Sequence, residues 1–370
     1  MKIKLTFLIL TLASSSIAFS QCNSITVQNV TNYSPSSYGS LIESDGLRNG
    51  PGYTDATLYF PMNGNSNFKS IVLVPGFQAT QSSITNWAKY LASRGFICLT
   101  IGTNSLFDNP YLRAAALIDG METIRQENNR MSSPVYQKID TGNIAVGGWS
   151  MGGGGAQLAA KLEPRIKAVL AIAPWLNQGT LSASDLNHTS PVLIISGQID
   201  PVAPPIFHSD MHYNYTPNTT HKLLFEILGG DHYTPLEPST GNGDAGNIAY
   251  AWLQMYLNTD DCYCRMLGLD SLNQNATASK YLTNLVCAPL STTTIAKLDL
   301  NVRLFPNPVS DEFLIQFSNQ NQLEYSIHTI SGQQMKYGKV RSGDKIKIEG
   351  FANGTYFLIL EQQVFKLLKN

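Results

Sequence analysis

One eight-residue run restricts this chain more than any other: Gly148-Trp149-Ser150-Met151-Gly152-Gly153-Gly154-Gly155. Residues 143–147 before Gly148 read as a strand, and residues 151–162 read as a helix. A G-x-S-x-G pentapeptide in that setting marks a sharp turn that lifts a serine above the sheet edge. Side chains larger than hydrogen at Gly148 and Gly152 would collide with neighbouring backbone. The helix then points its positive N-terminus at the serine, where negative charge would be stabilised. Gly153, Gly154 and Gly155 would let that helix pack close to the sheet. Ser150 is therefore the candidate nucleophile.

A serine nucleophile needs a base, and the base needs an anion to orient it. In this turn's usual setting the chain order is serine, acid, histidine. Asp200 follows a strand at 191–196, in Ser196-Gly197-Gln198-Ile199-Asp200, and His232 follows a strand ending in Leu228-Gly229-Gly230-Asp231. Both fall just past strand C-terminal ends, where active sites of open α/β sheets collect. Of the other histidines, His188 lies in a polar loop and His221 opens a strand. His208 and His212, four apart, are expected to share one exposed helix face, and His328 lies in the C-terminal region. Asp231 is expected to shape its loop, and Asp210 is the nearest substitute for Asp200. Backbone N–H groups of Met151 and of Phe77, in Pro75-Gly76-Phe77-Gln78, are the expected oxyanion donors. Trp149 and Trp175, with Phe77 and Met151, are expected to wall a pocket for an acyl or aromatic group.

Strand-like and helix-like segments alternate from residue 21 to about 290. The strands are 70–74, 96–101, 143–147, 165–172, 191–196 and 221–228, and the helices are 85–94, 110–128, 151–162 and 245–257. Such alternation predicts a mainly parallel, doubly wound sheet, which with the Gly148 to Gly152 turn and the serine, acid, histidine order resembles an α/β-hydrolase architecture. Segments 38–42 and 56–60 could add antiparallel edge strands. Residues 291–300, with Ser291-Thr292-Thr293-Thr294, read as a linker. Residues 301–370 hold short alternating strands at 312–317, 323–328, 345–348 and 356–361, separated by turns such as Ser331-Gly332 and Asn353-Gly354, and predict a small all-β sandwich.

Residues 1–20 read as a signal peptide: Lys2 and Lys4, an apolar run from 5 to 12, and small residues at Ala18 and Ser20. The apolar run is too short to span a bilayer permanently. Charged residues are only 14% of the chain and formal net charge is -1, so no basic field exists to hold nucleic acid. A secretory route permits disulfides. Cys98 sits in a buried strand and is expected to stay a free thiol. Cys22, Cys262, Cys264 and Cys287 form an even set, with one bridge from Cys287 to Cys262 or Cys264 and Cys22 left for the other member. Metal is not expected: no histidine lies near the cysteines, Cys262-Tyr263-Cys264 is too tight for zinc, and no glutamate accompanies His208 and His212 in a metalloprotease arrangement. No nucleotide or flavin fingerprint is present, so no cofactor is expected, and a monomer is.

These motifs resemble the bacterial cutinase and polyethylene terephthalate hydrolase family of polyesterases, over about residues 35–290. The carrying residues are Pro75-Gly76-Phe77, residues 101–109, Gly148 to Gly153, Ala173-Pro174-Trp175, Asp200-Pro201-Val202-Ala203-Pro204 and Gly230-Asp231-His232. The resemblance implies an exposed, lidless cleft for polymeric esters. It implies Ser150, Asp200 and His232 as triad, Phe77 and Met151 as oxyanion donors, and Trp175 as an aromatic clamp. Many members carry tyrosine where this chain has Phe77. Some carry an extra disulfide where this chain has Gly197 and Thr234. Leu304-Phe305-Pro306-Asn307-Pro308-Val309, Gly354-Thr355-Tyr356-Phe357 and the closing residues 366–369 resemble the sorting domain of type IX secretion cargo, which implies passage through the outer membrane. Two rival readings are an acyl-peptide hydrolase or peptidase, which usually carries a propeller or gating domain, and a non-catalytic binding protein, which would be expected to have lost a triad member.

Overall fold

Runs of valine, isoleucine and leucine favour strands because branched side chains pack well on a pleated surface, and here they become the centre of a nine-stranded sheet. The computed structural model describes Val30 and residues 36–370, apart from 65–66, 177–180, 269–276, 288–300, 319–321, 331–332 and 361–362. Two compact units part between Cys287 and Ala288. Expectations for residues 1–20, Cys22, the 291–300 linker and the Ser331-Gly332 turn fall outside the described residues.

The first unit contains β1 (Tyr38–Ile42), β2 (Ala56–Pro61), β3 (Phe68–Val74), α1 (Thr85–Ala92), β4 (Ile97–Ile101), α2 (Pro110–Asn129), β5 (Ile139–Trp149), α3 (Met151–Leu162), β6 (Val169–Ile172), β7 (Val192–Gly197), α4 (Ser209–Tyr215), β8 (Lys222–Ile227), α5 (Asp244–Leu257), α6 (Cys262–Leu267) and β9 (Ala278–Thr283). The sheet order is β1-β2-β4-β3-β5-β6-β7-β8-β9. The six strands from β4 to β8 in that order pair in parallel. β1 and β2 add an antiparallel edge, as their sequence allows, and β9 adds another beside β8.

Side chains alternate across the sheet and split the core in two. Ile71 and Leu73 join Trp87, Leu91, Ile248 and Trp252 on the face covered by α1 and α5. Val72 and Val74 join Leu117, Ile124, Ala156 and Ala159 on the face covered by α2 and α3. α2 starts where Asn109 caps it, its side chain accepting from the Leu112 N–H, with Pro110 at the first helical position.

Three segments depart from the sequence expectation. β5 begins at Ile139 rather than 143, because Asp140-Thr141-Gly142 looks like a turn yet Phe68 and Ile139 pair across a bulge. β6 begins at Val169, since the Ile166 N–H bonds the Glu163 carbonyl in a turn ahead of it. β9 has no sequence counterpart above: Ala278–Thr283 is only half-buried on both faces, so it shows no apolar run. Ala278 and Tyr281 pack against the core, Tyr281 on Phe225, and polar groups add the rest of its anchorage. Lys280 Nζ donates to both Asp210 carboxylate oxygens, and the Asn284 side chain donates to the carbonyls of Asn218 and Thr220.

Just past β9, Cys287 bonds Cys264 of α6, one of the two pairings left open by the sequence. Cys98 is a free buried thiol, as expected.

The named strands of the second unit all pair antiparallel. β10 (Arg303–Phe305), β11 (Glu312–Gln316) and β14 (Lys345–Lys347) form one sheet, and β13 (Gln334–Val340), β12 (Leu323–Thr329), β15 (Gly354–Leu360) and β16 (Gln363–Lys369) form the other. Phe313, Ile315 and Ile346 of the first pack with Ile327, Leu358 and Leu367 of the second, which makes the expected sandwich.

Closing a 23-residue separation by a disulfide contributes about 3 kcal/mol. The double variant Cys264→Ser/Cys287→Ser should therefore melt roughly 6–12 °C lower in a thermal scan. An unchanged midpoint would mean that the polar anchors of β9 suffice.

Candidate active site

The turn between β5 and α3 sets everything else. Ser150 has φ 55 and ψ -119, a region that residues with a side chain occupy only when their surroundings impose it. Its N–H donates to the Ile172 carbonyl at 2.8 Å, and its carbonyl accepts from Trp175 at 2.9 Å and Gly154 at 3.1 Å. The room is minimal: a Cβ on Gly152 would stand 2.5 Å from the Val74 oxygen, and one on Gly148 would stand 2.6 Å from Gly152 backbone. Gly155, expected against the sheet, faces α2 instead, where its Cβ would meet the Pro110 oxygen at 2.9 Å.

Asp200 and His232 leave the ends of β7 and β8 and meet over this turn. His232 Nε2 lies 3.0 Å from Ser150 Oγ, and His232 Nδ1 lies 2.6 Å from Asp200 Oδ2. The other carboxylate oxygen of Asp200 accepts the N–H groups of Val202 at 2.8 Å and Ala203 at 2.7 Å. The aspartate is thus held acceptor-side to the imidazole and fully satisfied. Both side chains are almost wholly buried. The loops are stitched together by the Ile199 N–H on the Gly230 carbonyl. Asp231 shapes its loop as expected: Oδ1 accepts from the backbone of Tyr233 and Thr234 and from the Thr234 hydroxyl, and those bonds, the Thr234 hydroxyl first, hold its carboxyl below the usual range.

The Phe77 N–H makes no hydrogen bond among the described residues, while its neighbour Gln78 turns the loop away at φ 56 and donates to the Leu106 carbonyl. Met151 is the first residue of α3, where a helix leaves its N–H groups unpaired. Gly76 allows the loop to press on the nucleophile: a Cβ there would lie 2.9 Å from Ser150 Cβ. The Phe77 ring is exposed and meets Phe107 edge-on at 5.6 Å.

Trp149, expected at the pocket wall, is 6% exposed and joins the core, and its indole N–H donates to the His232 carbonyl at 3.0 Å. Its ring lies 5.1 Å from the imidazole, so it is a floor for the histidine loop. Trp175 is half-buried and stacks on His208 at 5.9 Å.

The stack corrects one expectation. His208 and His212 share no exposed face: both are fully buried, because α4 lies against Trp175 and α3, where Gln157 bonds His212 Nδ1 at 2.7 Å. His188, expected in a polar loop, is buried too. Arg113, which carries no motif, is fully buried in the first turn of α2 and also reaches the Pro75 loop.

Residues 36–286 match the model of the family described as PET hydrolase-like. The chain belongs to that family. Residues 303–369 match a secretion system C-terminal sorting domain. Among similar proteins, Cutinase est1 of Thermobifida alba is 34% identical over 216 residues, covering 58% of this chain and 69% of that one. Cutinase 1 of Thermobifida cellulosilytica is 34% identical over 217 residues, covering 58% and 78%. Bis(hydroxyethyl) terephthalate hydrolase of Streptomyces coelicolor is 31% identical over 217 residues, covering 58% and 66%. The family and the sorting tail bear out both resemblances read from the motifs.

Two outcomes follow from this geometry. Trp149→Phe keeps most of the packing and loses one hydrogen bond to the His232 carbonyl, worth about 1 kcal/mol, so kcat on a nitrophenyl ester should fall by up to about fivefold. An unchanged kcat would make Trp149 mere filling.

The second outcome concerns pH. Burial pushes His208 down to about 4, with Asp200 pulling it back up and His232 adding to the fall. Burial pushes His212 to about 3 and His188 to about 4. In the unfolded chain each titrates near 6.5, so between about pH 6.5 and 4 the unfolded state binds more protons. Stability should therefore be flat above that window and drop inside it, by up to about 3 kcal/mol per imidazole. Melting midpoints from pH 8 to 4 check this, and a midpoint that stays constant down to pH 4.5 would contradict it.

Proposed function

We propose that this chain is an exported carboxylic ester hydrolase acting on apolar and polymeric esters through an acyl-enzyme on Ser150. The observation that carries the reading is the unbroken relay from Asp200 Oδ2 through His232 to Ser150 Oγ, with bonds of 2.6 and 3.0 Å. His232 Nε2 takes the hydroxyl proton as Oγ attacks the ester carbonyl. The carbonyl electron pair becomes an oxyanion, which the N–H groups of Phe77 and Met151 receive. Collapse expels the alcohol, to which His232 returns the proton, and the acyl group stays on Ser150. Water repeats the sequence, with His232 as base, and releases the acid. Asp200 holds the imidazole tautomer and stabilises the imidazolium.

The surroundings favour an extended apolar substrate. Phe77, Phe107, Ile199, Ile206, Phe207 and Tyr233 are all exposed on loops that carry or adjoin the relay. A soluble protein leaves such a rim uncovered where it meets something apolar. Phe77 and Trp175 are the residues assigned to grip the acyl part. Cutin-like polymers, short-chain glycerides and polyethylene terephthalate fit the rim, in keeping with the names of the relatives. The sorting tail supports delivery to the cell exterior or surface through the type IX machinery, and the enzyme is taken to act as a monomer.

Wild type beside Ser150→Ala, on nitrophenyl butyrate and on amorphous polyethylene terephthalate film, tests the reading. The variant should lose about 10⁴-fold or more in turnover. Soluble aromatic acids from the film with wild type alone would support a polyesterase. Turnover of the small ester without film products would narrow the substrate to soluble esters. Activity that survives Ser150→Ala would overturn the proposal.

A further inference from the structure

We propose that Arg113 is a positioning residue that clamps the oxyanion loop. The inference rests on the esterase reading above and adds a residue to it. Arg113 is a cation with no solvent exposure, and among the described residues it forms no ion pair. Asp108 attracts the guanidinium from a distance, but burying a charge with no carboxylate in contact is costly, so most of its compensation must come from elsewhere. It comes from three carbonyls on two loops. Nη1 donates to Pro75 at 2.9 Å, Nη2 to Leu106 at 3.2 Å and Nε to Asp108 at 3.0 Å.

Those carbonyls bracket the proposed donor. Pro75 stands two residues before Phe77. The Leu106 carbonyl, gripped by the guanidinium, also accepts the Gln78 N–H at 2.8 Å. One planar fork therefore holds the chain on both sides of Gly76-Phe77, and it keeps Gln78 at a φ of 56 that glutamine adopts only under constraint. The second donor is tied to the same place. A Cβ on Gly155 of α3 would stand 2.9 Å from Arg113 Cβ, so the helix that begins with Met151 crosses α2 at this residue. Burial pulls the guanidinium down to about 10, with Asp108 pulling it back, which leaves it a cation at neutral pH. A lysine would keep the charge but lacks the fork that reaches three fixed carbonyls.

The test compares full-length wild type with Arg113→Lys. Three quantities are read: kcat and KM on nitrophenyl butyrate, affinity for an aryl trifluoromethyl ketone, and hydrogen exchange at the Gln78 amide. The ketone is attacked by Ser150 Oγ, whose proton passes to His232 while the carbonyl electron pair becomes an oxyanion that must sit in the hole. A donor shifted by a fraction of an ångström should lower kcat by about 10²-fold with KM nearly unchanged, and should lower ketone affinity by a similar factor. Gln78 exchange should accelerate while β3 amides stay protected. A kcat and ketone affinity within about twofold of wild type would overturn the proposal, as would a loss carried by KM alone or one with unchanged Gln78 exchange. If Arg113→Lys does not fold, wild-type exchange decides. A Gln78 amide as slow as the β3 core supports the clamp, and one as fast as an exposed loop overturns it. A wild type that neither turns over the ester nor binds the ketone would sink the esterase reading instead, and the exchange measurement would still judge the clamp.

Discussion

The ends of β3 and β5 and the start of α3 compete for one small volume, and the chain resolves that competition with glycine. A Cβ on Gly148 would collide with Gly152 backbone and the Val74 oxygen, and one on Gly152 with the Val74 and Pro75 oxygens, so any side chain there would push helix and sheet apart. Because they cannot separate, Ser150 is forced to a positive φ and projects upward, and three backbone hydrogen bonds keep it there. The histidine and aspartate loops, the Phe77 loop and Trp175 are all placed relative to that one turn. Local strain at the nucleophile is tolerated because packing on every side over-determines it.

Much of this was legible beforehand, for a specific reason. Buried parallel strands such as Ser70 to Val74 must be apolar on both faces, so they stand out as continuous runs. The turn at Ser150 has few chemical solutions, so its residues announce it. Strand ends combined with chain order point to Asp200 and His232, and the fold brings both to Ser150. What escaped notice was polar or long-range. β9 packs Tyr281 on the core but is otherwise held by Lys280, Asn284 and a nearby disulfide, with no continuous apolar run, and β13 and β16 alternate with too many exposed positions to read as strands. His208 and His212 are four apart on a segment that looks polar, and only the packing of Trp175 and Gln157 reveals them as interior. Trp149 and Arg113 act through carbonyl oxygens, and no sequence pattern marks which carbonyl a side chain will find.

The polar interior around the triad is uneven in a way that suits the chemistry. Every polar atom of the Asp200 carboxylate and both ring nitrogens of His232 are engaged. By contrast both ring nitrogens of His208 and Nε2 of His212 have no partner among the described residues. Imidazoles so placed favour the neutral state. A neutral His208 beside Asp200 leaves the carboxylate's field to His232 alone. Under the proposed mechanism, a cation there would oppose the imidazolium formed as Ser150 attacks.

The disulfide at Cys287 is also a mechanical element. It is the last covalent landmark before the sorting tail, and along the chain it stands between that tail and β9. Tension applied to the tail, whether by an export machine or by a protease, reaches the sulfur bridge first and is shared with α6. β9 pairs with β8, and β8 carries the histidine loop at its end. The bridge therefore acts as a strain relief, like the clamp on a cable, between the part of the chain that is pulled and the strand that aims the proposed base.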